Sequence, residues 1–419
     1  MRHRELTSRF PKGLPFGRRS LLGAGTDTGL IRVLVGRSLR GFCDGFIAVL
    51  LPVYLLALGF DEVQVGLIGS STLLGSAIAT IAVGVIAHRR PLRQMLICAS
   101  ALMTATGLGF AFWSTWWPIF IIAFLGTLNP SSGDVSLFLP LEQSRLAELS
   151  TASTRTAIFA RYSLAGALSA AFGAFAVAVP AWMVAHAAMR MLPALRVMFV
   201  AYAVVGVALC WIYRGLPDDR ASATAPPISL GPSRLVVTRL ALLFSVDAFA
   251  GGLVVNSLLS LWLLQRFGLA LGMAAQFFFW TGLLSAASQL MAVPLARKFG
   301  LLNTMVFTHI PSSMCLIAAA LASSMWVALA LLLVRSALSQ MDVPTRTAYV
   351  MSVVTPPERP AAASFTAVPR SLAAAVGPVM AGALMASGYI AAPLVACGLL
   401  KITYDLALLR AFRRVQPAY

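Results

Sequence analysis

Four aspartates lie inside hydrophobic stretches of this chain, where a carboxylate is costly. The 419 residues include only 14 acidic ones, so these four are a large share of them. Asp44 and Asp134 fall in the first half of the chain, and Asp247 and Asp342 fall in the second. A charge at the centre of a bilayer costs at least ~2.5–3.5 kcal/mol, so such residues usually face a cavity or a partner. Their expected chemistry is ion pairing or the uptake and release of protons.

Arginines accompany these carboxylates at helical spacing. Arg40 precedes Asp44 by four residues and Asp342 precedes Arg346 by four, so the members of each pair share a helix face. Arg335 lies seven residues before Asp342, about two helical turns away and on the same face. A guanidinium binds a carboxylate or phosphate through two parallel hydrogen bonds. Arg335 is therefore the first candidate for binding an anionic substrate.

Uncharged polar residues add weaker candidates for substrate binding. They are Asn129, Asn256 and Gln289, and a role in helix packing is the alternative for Asn256 and Gln289. Asn129 and Pro130 together indicate either a break in their helix that would expose backbone carbonyls to a cavity, or a kink whose backbone groups are satisfied by a neighbouring serine. The aromatic run 277–280 is expected to face lipid, and an apolar wall of the cavity is the alternative.

Composition places the chain among polytopic membrane proteins. It is 59% hydrophobic and 11% charged, whereas soluble proteins are about 25% charged. The net charge of +18 is spread over short loops between apolar runs, which argues against a nucleic-acid surface. The five cysteines and four histidines are dispersed, so neither a metal site nor a cofactor is indicated.

Runs of about 20 apolar residues predict twelve transmembrane helices in two sets of six. The predicted organisation is a basic cytoplasmic tail (1–32), a first six-helix bundle (33–213), a cytoplasmic linker (214–236), a second bundle (237–411) and a short tail (412–419). Lys and Arg concentrate in alternate loops, which predicts that both termini are cytoplasmic. The expected location is the cytoplasmic (inner) membrane of a bacterium.

The two halves resemble each other. Asp134 and Asp342 are offset by 208 residues, and Arg161 and Arg370 are offset by 209. A parallel repeat of six plus six helices is typical of one large transporter architecture, with its substrate site between the halves.

These features resemble the major facilitator superfamily. The loop 84–93 is similar to the basic loop that follows the second helix in that family, with His88 at the position of its usual aspartate. The residues Gly377, Pro378 and Gly382 resemble the family's antiporter motif, here in the eleventh helix. The resemblance implies an all-α membrane protein of twelve helices in two pseudo-symmetric bundles, with helices one, four, seven and ten lining a central cavity.

Two roles remain open for the charged residues. In one, paired charges lock the cytoplasmic ends of the bundles and exchange partners as the halves rock; the candidates for this gate are Asp134, Asp342, Arg346, Arg40, Arg161, Arg370, Arg89, Arg90, Arg297 and Lys298. In the other, an aspartate carries the coupled proton. Asp247 leads here because it has no arginine within one turn on its own helix, and Asp44 follows.

The predicted function is secondary active transport of a small organic solute by alternating access. Proton-coupled efflux is the first interpretation, and proton-coupled uptake of an anionic metabolite is the alternative. A membrane enzyme or a non-transporting sensor is a remote alternative. The chain has no phosphate-binding Gly-x-x-x-x-Gly-Lys-Ser/Thr motif for ATP. We expect a monomer in the lipid bilayer whose partners are a small-molecule substrate and protons, without nucleic acid.

Overall fold

The described chain is a bundle of helices. The computed structural model describes residues 28–86, 90–131, 136–150, 154–217, 231–355 and 358–413, so Asp134 and Arg89 lie outside the described residues. The helices are α1 Thr28–Ala57, α2 Glu62–Ile86, α3 Leu92–Phe112, α4 Trp116–Leu125, α5 Phe138–Glu148, α6 Arg155–Phe175, α7 Val179–His186, α8 Met191–Arg214, α9 Arg234–Gly252, α10 Asn256–Phe267, α11 Leu271–Phe299, α12 Leu301–Leu321, α13 Met325–Ser339, α14 Asp342–Val353, α15 Arg359–Ala386 and α16 Ala392–Phe412.

These helices make twelve crossings, as the apolar runs predict. Within the described ranges, eleven segments are long and apolar enough to span a membrane, and the shorter α4 begins the remaining crossing. Four crossings are built from two segments each: α4 with α5, α6 with α7, α9 with α10, and α13 with α14. We call the end of the bundle where α1 and α9 begin and α8 and α16 end the terminal face, and the other end the opposite face.

The fourth crossing is interrupted where the sequence predicts it. Helix α4 ends at Leu125, and α5 begins only at Phe138. The side chain of Asn129 turns back on this loop, because its Oδ1 accepts hydrogen bonds from the backbone N and the Oγ of Ser131. The interruption brings α5 into the bundle, so that residues beyond the predicted end of this crossing become buried.

Two glycines allow sharp turns in the second half. Gly268 ends α10 in the left-handed region at φ 62°, and Gly300 links α11 to α12 at φ 85°. Residues with a Cβ rarely adopt such angles. One residue therefore suffices to reverse the chain between α11 and α12.

Equivalent glycine contacts occur in the two halves. In the first half, Gly45 of α1 packs against the backbone of Ala170 in α6. In the second half, Gly252 of α9 packs against the backbone of Gly377 in α15. Both contacts join the first and fifth crossings of a half. The structure thus confirms the two pseudo-symmetric six-helix bundles.

The halves meet most closely between the middle of the bundle and the opposite face. Gly66 of α2 packs against Pro378 and Gly382 of α15. Gln265 Nε2 donates to Glu62 Oε1 at 2.6 Å, and Ser260 Oγ donates to the carbonyl oxygen of Val49 at 3.1 Å. These contacts close the opposite face.

Candidate functional site

A central cavity of 1270 Å³ lies between the halves. It extends from the middle of the bundle, near Val49 and Leu316, to residues close to the terminal face such as Arg37 and Met351. Since the opposite face is closed, a solute would enter this cavity from the terminal face.

Asp247 lies on the wall of this cavity between two cations. Its Oδ2 accepts a hydrogen bond from Arg346 Nη1 at 2.8 Å, and its Oδ1 accepts one from Lys401 Nζ at 2.6 Å. Arg346 Nη2 also lies 3.2 Å from Asp342 Oδ2. Three helices, α9, α14 and α16, are thereby joined by one buried ion-pair network.

The network continues to a histidine and a third carboxylate. His309 Nε2 lies 3.3 Å from Lys401 Nζ, and His309 Nδ1 lies 3.0 Å from Asp405 Oδ2. A lysine ammonium only donates, so His309 Nε2 accepts from Lys401 and His309 Nδ1 donates to Asp405. This pattern of hydrogen bonds corresponds to the neutral imidazole with its proton on Nδ1. Its Nε2 is also 3.9 Å from Asp247 Oδ1.

The charges of this network do not balance while His309 is neutral. Its three carboxylates, Asp247, Asp342 and Asp405, face two fixed cations, Arg346 and Lys401. The net charge is therefore −1, and one proton on His309 brings it to zero. We call these five residues with His309 the acidic network.

A second buried network lies in the first half. Glu142 of α5 is fully buried and forms an ion pair with Arg40 of α1. Glu142 also accepts hydrogen bonds from the hydroxyls of Tyr162 and Tyr213. Arg40 stacks over the ring of Phe138 at 4.3 Å. The sequence pairs Arg40 with Asp44, but the carboxylate that binds its Nη2 is Glu142.

Arg335 differs from these arginines. It lines the cavity on α13, and among the described residues no carboxylate forms an ion pair with its guanidinium. Its backbone oxygen accepts a hydrogen bond from Ser312 Oγ at 3.4 Å. Arg335 thus places a positive charge on the cavity wall that no described carboxylate neutralises through an ion pair.

The other predicted site residues divide between the cavity and the surface. Those that line the cavity are Asp44, Asn256, Gln289, Asp342, Arg346 and Arg370. Asn129 is buried away from it, and Arg40 is enclosed in the first half. Arg90, Arg161, Arg297 and Lys298 are exposed. The pairs Arg40–Glu142 and Arg346–Asp342 each lie within one half, so a gate between the halves stays a prediction.

The structure adds to two expectations from the sequence. Asp247 has no arginine within one turn on its own helix, as predicted, yet Arg346 and Lys401 reach it from other helices. In the aromatic run 277–280, Phe277 and Phe278 are buried and line the cavity, as in the alternative to a lipid-facing run, whereas Trp280 is 53% exposed. Sequence position along one helix does not show which side chains arrive from neighbouring helices.

Four functional candidates escape the sequence reasoning. His309, Lys401 and Asp405 lie in the ninth and twelfth crossings, and the rule that charges within apolar spans are functional also applies to them. Glu142 lies beyond the predicted end of the fourth crossing, so only the interruption before α5 shows that it is buried.

The family follows from a profile match that covers most of this fold. The profile of the Major Facilitator Superfamily matches residues 33–334. The chain belongs to this superfamily. An uncharacterized membrane protein of Saccharomyces cerevisiae is 24% identical over 409 residues, covering 88% of this chain and 91% of the yeast protein.

Solved structures of other superfamily transporters have the same fold. The nucleoside transporter NupG superposes with a TM-score of 0.71 at 13% identity, covering 92% of this chain and 99% of that one. A D-xylose–proton symporter superposes with a TM-score of 0.68 at 15% identity, covering 91% of this chain and 96% of that one. The superfamily identifies the chain as an integral, multi-pass membrane transporter rather than an enzyme.

Proposed function

We propose that this protein is a secondary active transporter that moves a small organic solute by alternating access and couples this movement to protons. The observation that carries the proposal is the acidic network on the cavity wall, whose charge of −1 becomes zero when it binds one proton. A buried net charge of this kind destabilises the folded protein, and charges within membrane spans usually have a function. The likeness to a D-xylose–proton symporter agrees with proton coupling.

His309 is the proposed proton acceptor, in place of the Asp247 that the sequence favours. Both oxygens of Asp247 already bind cations, whereas His309 Nε2 is an acceptor beside the cavity. Protonation turns Nε2 into a donor. It can then no longer accept from Lys401 at 3.3 Å, and Asp247 at 3.9 Å becomes its natural partner. Proton uptake therefore breaks the hydrogen bond between His309 of α12 and Lys401 of α16, and it makes His309 compete with Lys401 for Asp247 on α9.

Proton-coupled uptake is the direction that the geometry favours. Arg335 and the acidic network occupy different turns of the cavity wall. The hydroxyl of Ser312 on α12 donates to the backbone oxygen of Arg335, which places Arg335 at the level of Ser312. His309 of the acidic network lies one helical turn before Ser312 on the same helix. A proton and an anionic solute can thus be bound together, as symport requires. Proton-coupled efflux is the second candidate, because of the antiporter-like residues in α15. The packing of Gly377 against Gly252 and of Gly382 against Gly66 accounts for both glycines without antiport.

The proposed placement follows the charge pattern of the loops. Exposed basic residues such as Arg90, Arg297, Lys298 and Arg413 lie at the terminal face. By the positive-inside rule this face is cytoplasmic, so the present conformation is inward-open with both termini inside. We further propose that the protein is a monomer, since one chain forms the central cavity. The proposed location is the inner membrane of a bacterium.

A test without a known substrate uses the purified protein in liposomes. The liposomes are incubated in a cell metabolite extract with and without a pH gradient, and the solutes they retain are identified by mass spectrometry. We expect at least one solute to accumulate only with the gradient, compared with protein-free liposomes. Accumulation that is the same with and without the gradient would show that protons are not coupled.

A further inference from the structure

We infer that Arg335 and Ser313 form the binding site for the carboxylate of a small amphipathic acid. This inference rests on the proposed transport function and names its substrate class. It starts from two polar groups of the cavity wall. Among the described residues, the Arg335 guanidinium has no carboxylate partner, and the Oγ of Ser313, a residue that is 2% exposed, has no hydrogen-bond partner.

These two groups lie on neighbouring helices at the same level. Ser312 Oγ of α12 donates to the backbone oxygen of Arg335 on α13 at 3.4 Å, and Ser313 is the next residue. Both Arg335 and Ser313 line the cavity. A carboxylate has two acceptor oxygens, so it can accept from the guanidinium and from the hydroxyl together.

The cavity beyond this level is apolar. Leu332 lies one turn from Arg335 toward the opposite face, and Leu316 lies one turn from Ser313 in the same direction. Phe277 and Phe278 line the cavity from α11, with their rings in edge contact at 5.1 Å between centroids. A ligand whose carboxylate binds Arg335 would direct its apolar part toward these side chains. The lining therefore fits an aliphatic or aromatic monocarboxylate better than a sugar or a dicarboxylate.

Binding of a carboxylate at Arg335 would affect closure of the cavity during the alternating-access cycle. In the inward-open conformation Arg335 lines a cavity that is open toward the terminal face. Closure removes the cavity's water, and an unpaired guanidinium in a low-dielectric interior is strongly disfavoured. A bound carboxylate supplies the missing negative charge. The anion thus favours closure, and closure of the empty transporter is slower.

The test is a ligand-induced shift in thermal unfolding of the purified full-length protein, measured at one fixed pH without a gradient. The probes are benzoate and hexanoate, their uncharged isosteres benzamide and hexanamide, and inorganic phosphate. Ligands that bind the native state raise the unfolding temperature. We expect the two carboxylates to raise it, and the two amides and phosphate to leave it unchanged.

Substitutions then locate the binding. R335Q should weaken carboxylate binding about ten- to hundredfold, as expected for the loss of a charge-assisted hydrogen-bond pair. S313A should weaken it less, and R335K should retain part of it, which guards against a misfolded R335Q. Q340A is the matched control, because Gln340 also lines the cavity but lies more than one turn from Arg335.

Three results would overturn the inference. They are equal stabilisation by carboxylates and amides, an R335Q protein that responds like the wild type, and stabilisation by phosphate alone. Because these measurements involve no gradient, carboxylate binding can stand even if proton coupling fails. Proton coupling can likewise stand if the accumulated solute is not an acid.

Discussion

Lys401 Nζ lies 2.6 Å from Asp247 Oδ1, and this ion pair joins the last helix of the second half to its first. Arg346 binds the other oxygen of the same carboxylate. The first half has an ion pair equivalent to Asp247–Arg346, with the two charges exchanged. In that half the arginine, Arg40, lies on the first crossing and the carboxylate, Glu142, lies on the fourth. In each half, therefore, one buried carboxylate binds side chains from more than one neighbouring helix.

Removal of the Asp247 charge should destabilise the protein strongly. The substitution D247N leaves Arg346 and Lys401 buried without their shared partner, and breaking a buried pair from one side costs about 3–5 kcal/mol. The double variant D247N/K401M removes one charge of each sign, so it should be less destabilised than D247N alone. Thermal unfolding of the three proteins in one detergent measures this. A double variant less stable than D247N would mean that the pair is not coupled as the structure shows.

His309 should carry the pH dependence of transport. H309Q keeps a donor and an acceptor but binds no proton in the working pH range, so gradient-driven accumulation should be lost while solute exchange at equal pH persists. D405N should change the pH profile and weaken the coupling, because the network without the Asp405 charge is already neutral while His309 is neutral. The readout is accumulation and exchange in liposomes across pH. If H309Q still concentrates solute as the wild type does, the proton binds elsewhere.

Glu358 should make stability depend on pH in the acidic range. It lies before α15, outside the membrane-spanning segment, and hydrogen bonds from the hydroxyls of Ser233 and Thr355 and from the backbone N of Gly231 lower its pKa to about 2. A lowered pKa in the folded state means that the stabilisation is complete above the unfolded-state value of 4.5 and is lost as the pH falls toward 2.

The comparison for Glu358 is the charge-neutral variant. E358Q should unfold at a lower temperature than the wild type at pH 7, and the two proteins should converge as the pH falls below 4.5. Unfolding temperatures across this range measure the difference. A difference in unfolding temperature that is constant with pH would show that the charge of Glu358 does not stabilise its contacts with Gly231, Ser233 and Thr355.

Gly377 should tolerate no side chain. A Cβ at this position overlaps the backbone of Gly252, so G377A should lower stability by about 1–3 kcal/mol through overpacking. Gly272, also in a helix, has open space around its Cβ position, so G272A should be neutral or slightly stabilising. Unfolding of both variants beside the wild type tests the contact. Equal stability of the two variants would contradict close packing of α9 on α15.

Much of the architecture is predictable from the sequence because it depends on local properties. Apolar runs define twelve crossings, Asn129 and Pro130 mark the interrupted one, and the offset between Asp134 and Asp342 reveals the repeat. The site is less predictable because its pairs join distant helices. Asp247 and Lys401 are 154 positions apart, and no pattern within either helix shows that they meet.

The hydrogen bonds that close the opposite face make the apparent affinity for a solute differ between the two sides of the membrane. Bonds such as Gln265–Glu62 and Ser260–Val49 each contribute about 0.5–1.5 kcal/mol, and they must break before a conformer that is open at the opposite face forms. A solute at the opposite face can bind only the fraction of molecules in that minor conformer, and its apparent affinity falls by that fraction. The same site should therefore show a higher half-saturation concentration from one side of the membrane than from the other.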